Sequence, residues 1–112
     1  MKILPISILF LCIAEICSAA QTMTSGTIVA LRNHTLNYYT TTLQGVSILQ
    51  LSTPFTAGCS WVFLSPNDKN ALAVALTAEV SGSPVSVYYD PAVTSPWGDP
   101  TTCGVVAIEI DQ

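Results

Sequence analysis

Beyond residue 20, the side chains with the most evident chemistry are one histidine, six carboxylates and two cysteines. His34 stands in "LRNHTLNYY". An imidazole titrates near neutrality and can act as a general base or bind a metal. No serine or cysteine nucleophile motif and no orienting carboxylate accompany it in sequence, so it reads as a turn residue between strands. Asp68, Glu79, Asp90, Asp99, Glu109 and Asp111 are scattered. Two of them could hydrolyse a glycosidic bond if the fold paired them, but their setting suits loop solvation. Asp68, Asp90 and Asp99 do not follow a calcium-loop pattern. One histidine and two cysteines are too few for a metal site. The chain is therefore expected to be non-catalytic and to need no cofactor or metal. An enzyme would require His34 and an acidic residue to meet in one cleft.

Rings and hydroxyls offer a different chemistry. Trp97 lies in "SPWGDP", a polar loop where an indole either stacks on a sugar or partner, or folds back to close the loop. Tyr38 and Tyr39 adjoin three threonines. If that segment is a strand, one ring points in and the other out, and the outward one is a ligand candidate. Trp61, in "CSWVFL", reads as core packing beside a disulfide. Asn33-His34-Thr35 matches the N-glycosylation sequon, which a bacterial chain is expected to leave bare.

The first twenty residues, "MKILPISILFLCIAEICSAA", have a lysine, an apolar run and small residues at the end. That is the layout of a secretory signal peptide. The run is too short to span a bilayer comfortably, and no later segment approaches the length required. Cleavage near Ala20 leaves residues 21–112 as one small domain, secreted or periplasmic. Cys12 and Cys17 leave with the leader, so Cys59 and Cys103 are expected to form a disulfide in an oxidising compartment. Only Arg32 and Lys69 are basic beyond residue 20. Nucleic acid and anionic membrane surfaces are therefore excluded as expected partners. A neutral surface suits a glycan or another protein.

Strands are expected at Ser25–Asn33, Leu36–Leu43, Val46–Ser52, Cys59–Ser65, Val85–Asp90 and Cys103–Ile110. Whether the second and third are separate or one bent strand stays open. "SPNDKNALAVALTAEVSG" predicts a helix with Ser65 as its cap, Leu72, Leu76 and Val80 as its apolar stripe, and Gly82 as its stop. The fold class is mainly β with one helix. The order fits a small OB-fold-like antiparallel barrel, with the helix between strands 3 and 4; a small α+β sandwich has the same order.

The alanine- and leucine-rich helix, the "SGSPVSVYYD" that follows and the terminal "VVAIEI" strand resemble the B subunits of bacterial AB5 toxins of the pertussis and subtilase type. The resemblance covers chiefly Ala71–Tyr89 and does not extend to Cys59 and Cys103. It implies a pentamer whose helices line a pore, and a glycan-binding surface near the first strand. Thr24 and Ser25 lie in roughly the corresponding place, so they join Tyr38, Tyr39 and Trp97 as candidate ligand-binding residues. The expected function is a secreted, non-catalytic binding module, glycan-binding and toxin B-subunit-like. An exported structural or interaction protein, or an inhibitor, is the alternative.

Overall fold

The computed structural model describes residues 22–111. The expected leader and its cleavage site lie outside these residues. Six strands and one main helix follow in order: β1 (Thr22–Gly26), β2 (Ile28–Asn33), β3 (Ser47–Leu51), β4 (Trp61–Leu64), α1 (Lys69–Ser81), β5 (Val85–Thr94) and β6 (Thr102–Ile110). They form one sheet in the order β1-β5-β6-β4-β3-β2. Every pair is antiparallel except β4 with β6, so the sheet is mixed rather than antiparallel throughout. Its hydrogen-bonded ladder does not close into a barrel, and the helix follows the fourth strand by count. The two edge strands, β1 and β2, are nonetheless consecutive in the chain, joined through Thr27.

That join divides what reads in sequence as a single first strand. A second difference is the segment from Leu36 to Leu43, expected to be extended. It forms turns and a short 3-10 helix, Thr41–Leu43. Its backbone groups are satisfied locally, as Tyr38 N–H donates to Thr35 O (3.1 Å) and Leu43 N–H to Thr40 O (3.0 Å). Turn chemistry from Thr35, Asn37 and the threonines outweighs the β preference of the tyrosines. The excursion is pinched at its base, where His34 N–H donates to Val46 O (2.9 Å) and Gly45 N–H to His34 O (2.7 Å).

β3 alternates as its residues dictate. Leu49 and Leu51 join the main core, while Ile48 joins a second, smaller apolar cluster. The main core also takes Val62 and Leu64 from β4, Val85, Val87 and Tyr89 from β5, and Cys103 from β6. Tyr89 is fully buried, and its hydroxyl is held by Thr24 Oγ1 (2.7 Å) and the Thr56 N–H (2.9 Å). One phenol thereby ties β1, β5 and the loop after β3 together. β5 runs past Asp90, and Pro91 is accommodated where the β5–β6 register shifts.

Ser65 and Asp68 interact as a capping pair should. Asp68 Oδ2 accepts from both Ser65 N–H and Ser65 Oγ at 3.0 Å. These bonds close a turn, and the helix begins three residues later than expected, with Asp68 rather than Ser65 as its N-cap. At the other end Gly82 adopts φ 69°, a left-handed conformation that favours glycine, and Ser83 N–H reaches back to Ala78 O (3.0 Å). The buried positions are Ala75 and Ala78, with Ala71 and Leu72 partly buried against the same core. Leu76 and Val80, expected in the inward stripe, are 45% and 86% exposed. Alanine at the contact lets the helix axis approach β6 and β2 closely, which turns the larger side chains outward.

Cys59 and Cys103 form the expected disulfide, with a Cα separation of 5.8 Å. It links the loop before β4 to β6 across 44 residues of chain. Replacing both cysteines by serine should lower unfolding free energy by roughly 4 kcal/mol on the chain-entropy model. Urea denaturation monitored by circular dichroism measures this; an unchanged midpoint would contradict it.

Candidate functional site

The site is built on the sheet face opposite the main core. Ile48 on β3 and Phe63 on β4 are directly paired and both buried there. With Val46 they form the second apolar cluster, against which Trp61 and Trp97 pack. β4 is therefore apolar on both faces, with Val62 and Leu64 on one and Trp61 and Phe63 on the other. Gly104 of β6 belongs to the outer layer. A Cβ there would come within 2.5 Å of Val93 and 3.4 Å of Phe63, so the glycine makes room for both.

The turn carrying Trp97 roofs this layer. The turn is closed by Gly98 N–H on Ser95 O (2.9 Å), with Pro96 in a position that favours the turn. Ser95 is buried, and its hydroxyl donates to Asp99 O (3.0 Å) and accepts from Asp99 N–H (2.8 Å). The indole of Trp97 meets the Phe63 ring edge-on, with centroids 5.8 Å apart and planes at 65°. Trp97 is thus partly folded back, and its remaining surface faces a cavity.

That cavity has a volume of about 230 Å³. Arg32, His34 and Tyr38 line one side, and Trp61, Trp97 and Asp99 the other, over a base that includes Ile48. Arg32 is exposed on β2, opposite Ile48 of β3, and brings a fork of five N–H donors. Buried His34 has Nδ1 2.8 Å from Val46 O. A carbonyl accepts, so Nδ1 carries a proton and donates it to this bond. Tyr38 packs edge-on against His34, with centroids 4.6 Å apart. Gln44 Nε2 fixes the Tyr38 carbonyl at 2.9 Å.

Asp99 is oriented by its own loop. Its carboxylate accepts from Thr101 N–H (2.9 Å), Thr101 Oγ1 (2.8 Å) and Thr102 Oγ1 (3.1 Å). The Thr101 backbone N–H, followed by the Thr101 hydroxyl, holds the carboxyl below the usual aspartate value, with partial desolvation opposing them. His34 and Asp99 therefore do line one cavity, the arrangement an enzyme would need. Each is engaged in holding a loop, His34 through Nδ1 and Asp99 through three donors. Among the described residues no group of three or more His, Cys, Asp or Glu could hold a metal ion.

Of the residues singled out by sequence, Tyr38 and Trp97 come together at this cavity. Tyr39 is 99% exposed just beyond it, its ring 5.9 Å from that of Tyr38. Thr24 and Ser25 lie elsewhere, on β1. Thr24 is buried against the Tyr89 hydroxyl, and exposed Ser25 bonds Ser86 Oγ (2.8 Å). Arg32 and Trp61 line the cavity without having been singled out as ligand candidates. "CSWVFL" carried a signal for Trp61: a strand apolar at every position needs cover on both faces. Compared with models of protein families, with curated proteins and with solved structures, the chain shows no match.

Proposed function

We propose that the chain is an exported, non-catalytic carbohydrate-binding module of OB-fold type, with its ligand site at the Trp97 cavity. The observation that carries this reading is the grouping of three aromatic rings, Tyr38, Trp61 and Trp97, with the donor fork of Arg32 around one depression. Sugars offer C–H faces that pack on aromatic rings and hydroxyls that bond to charged and amide groups. The OB-type reading treats β1 and β2 as one bent strand shared by the two ends of the sheet. The helix then falls between the third and fourth strands, and the parallel β4–β6 pair joins the third to the fifth. Ligands of OB folds lie on strands two and three and their flanking loops. The equivalents here are β3 and β4, the excursion holding His34 and Tyr38, and the turn holding Trp97. The disulfide is consistent with an oxidising compartment. No helix among the described residues is long and apolar enough to cross a membrane.

The likeness to toxin B subunits adds a second reading, a homo-oligomer assembled through α1. Exposed Leu76 and Val80 favour it, since they form an apolar ridge, one and two turns apart from Ala73, that the sheet does not cover.

A glycan array followed by tryptophan fluorescence titration tests the binding reading. Trp97→Ala should weaken binding at least about tenfold, as loss of a buried aromatic anchor does. Equal binding by the variant would contradict the proposal. For assembly, light scattering across concentrations should return a multiple of the chain mass, reduced to a monomer by Leu76→Glu with Val80→Glu. A wild-type monomer throughout would dismiss it.

A further inference from the structure

A second depression, of about 450 Å³, opens where β3 and β4 meet their connecting loop. Buried Leu51 and Cys59 form its base, and exposed Thr53, Pro54 and Ser60 its rim. Gln50 lines it as well, and Phe55 fills one wall, packed on Tyr89 with ring centroids 5.0 Å apart. No charged side chain lines it. Gln50 gives one N–H to Ser60 O at 3.1 Å, and its other N–H and its carbonyl are left for a ligand.

The two depressions are neighbours on the same strands. Ile48 lines one and Gln50 the other, and residues two apart on a strand share a face at a spacing of about 7 Å. Trp61 of β4 lines the first, and Ser60, in the loop just before that strand, lines the second, which sits at the end of the β3–β4 hairpin and reaches main-core Leu51 and Cys59. Taken alone, the Trp97 cavity falls below the range of roughly 300–1,000 Å³ typical of ligand sites, whereas the second depression falls within it by itself.

We infer that the ligand is a linear oligosaccharide that runs along β3 and β4, rather than a single sugar. One unit lies against Trp61 and Trp97 beside Arg32. The next units lie over Gln50, Thr53 and Ser60, where neutral donors and acceptors meet sugar hydroxyls. The uncharged second depression assigns the chain beyond the first unit to neutral sugars. This inference rests on the carbohydrate-binding reading, and a length series separates the two.

Wild-type protein, Trp97→Ala, Thr53→Ala and Gln50→Ala with Thr53→Ala are titrated calorimetrically with cello-, chito- and galacturono-oligosaccharides of one to six units. The inference expects affinity in the cello or chito series to rise about tenfold from one unit to three and then level off, the effect of a few added hydrogen bonds, and a rise confined to the charged galacturono series overturns the neutral-sugar assignment. The double variant should bind the three-unit ligand no better than the single sugar, and its single-sugar affinity should match that of wild type. Thr53→Ala, at an exposed position, should lose part of the gain and guards against a misfolded hairpin. Affinity that is independent of length but sensitive to Trp97→Ala overturns the extended groove and leaves the carbohydrate reading standing. Affinity insensitive to Trp97→Ala, or absent in every series, overturns both.

Discussion

The constraint on which the structure depends is β4, a four-residue strand that is apolar on both faces and lies between β3 and β6. Val62 and Leu64 need one cover, and Trp61 and Phe63 need another. The first is supplied by the main core, into which β5, β6 and α1 also bury their apolar side chains. The second must be built from whatever lies on the outside: Val46, Ile48 and the turn that carries Trp97. A thin layer of this kind cannot bury two indoles completely, and Trp61 and Trp97 both retain solvent-facing surface. The cavity is what remains of that incomplete cover. Arg32 and Tyr38 approach it because β2 and the excursion after it flank β3.

Two devices hold the strands that frame this layer. The disulfide joins the loop entering β4 to β6, beside the one parallel pairing of the sheet, which β4 shares with only three residues of β6. Parallel pairing is slightly weaker per residue, so a covalent link at that seam has an evident purpose. The Tyr89 hydroxyl does similar work between β1 and the loop after β3. The helix contributes chiefly by fitting closely. Ala75 and Ala78 are buried because their small side chains permit near contact, and the strand-rich core needs no large side chains from the helix there.

Local rules in the sequence went far. The alternation of β3, the Gly82 stop, the Val85-Val87-Tyr89 face and the Cys59–Cys103 pair all follow from residue type and spacing. Three things did not. The helix stripe holds at Leu72 but not at Leu76 and Val80, because hydrophobicity selects those two whereas packing distance selects alanine. The Leu36–Leu43 segment is not extended because β propensity reflects packing on a sheet, and this segment has none to pack on. The parallel β4–β6 pairing joins residues some forty positions apart in the chain, which no local pattern encodes. The site followed the same division. Trp97 and Tyr38 stood out as aromatics in polar company, while Arg32 and Trp61 belong to strands whose meeting depends on long-range pairing.

The central claim is that the Trp97 turn is a preformed roof, held to the outer face by Phe63, Ser95 and the Asp99 carboxylate before any ligand arrives. Nitrogen-15 relaxation of the free protein measures this directly, on the backbone of residues 95–101 and on the Trp97 indole. The account predicts order parameters near those of the sheet, about 0.85. Values below about 0.6 across the turn would mean a flexible loop and no cavity in the unliganded protein, which would contradict it.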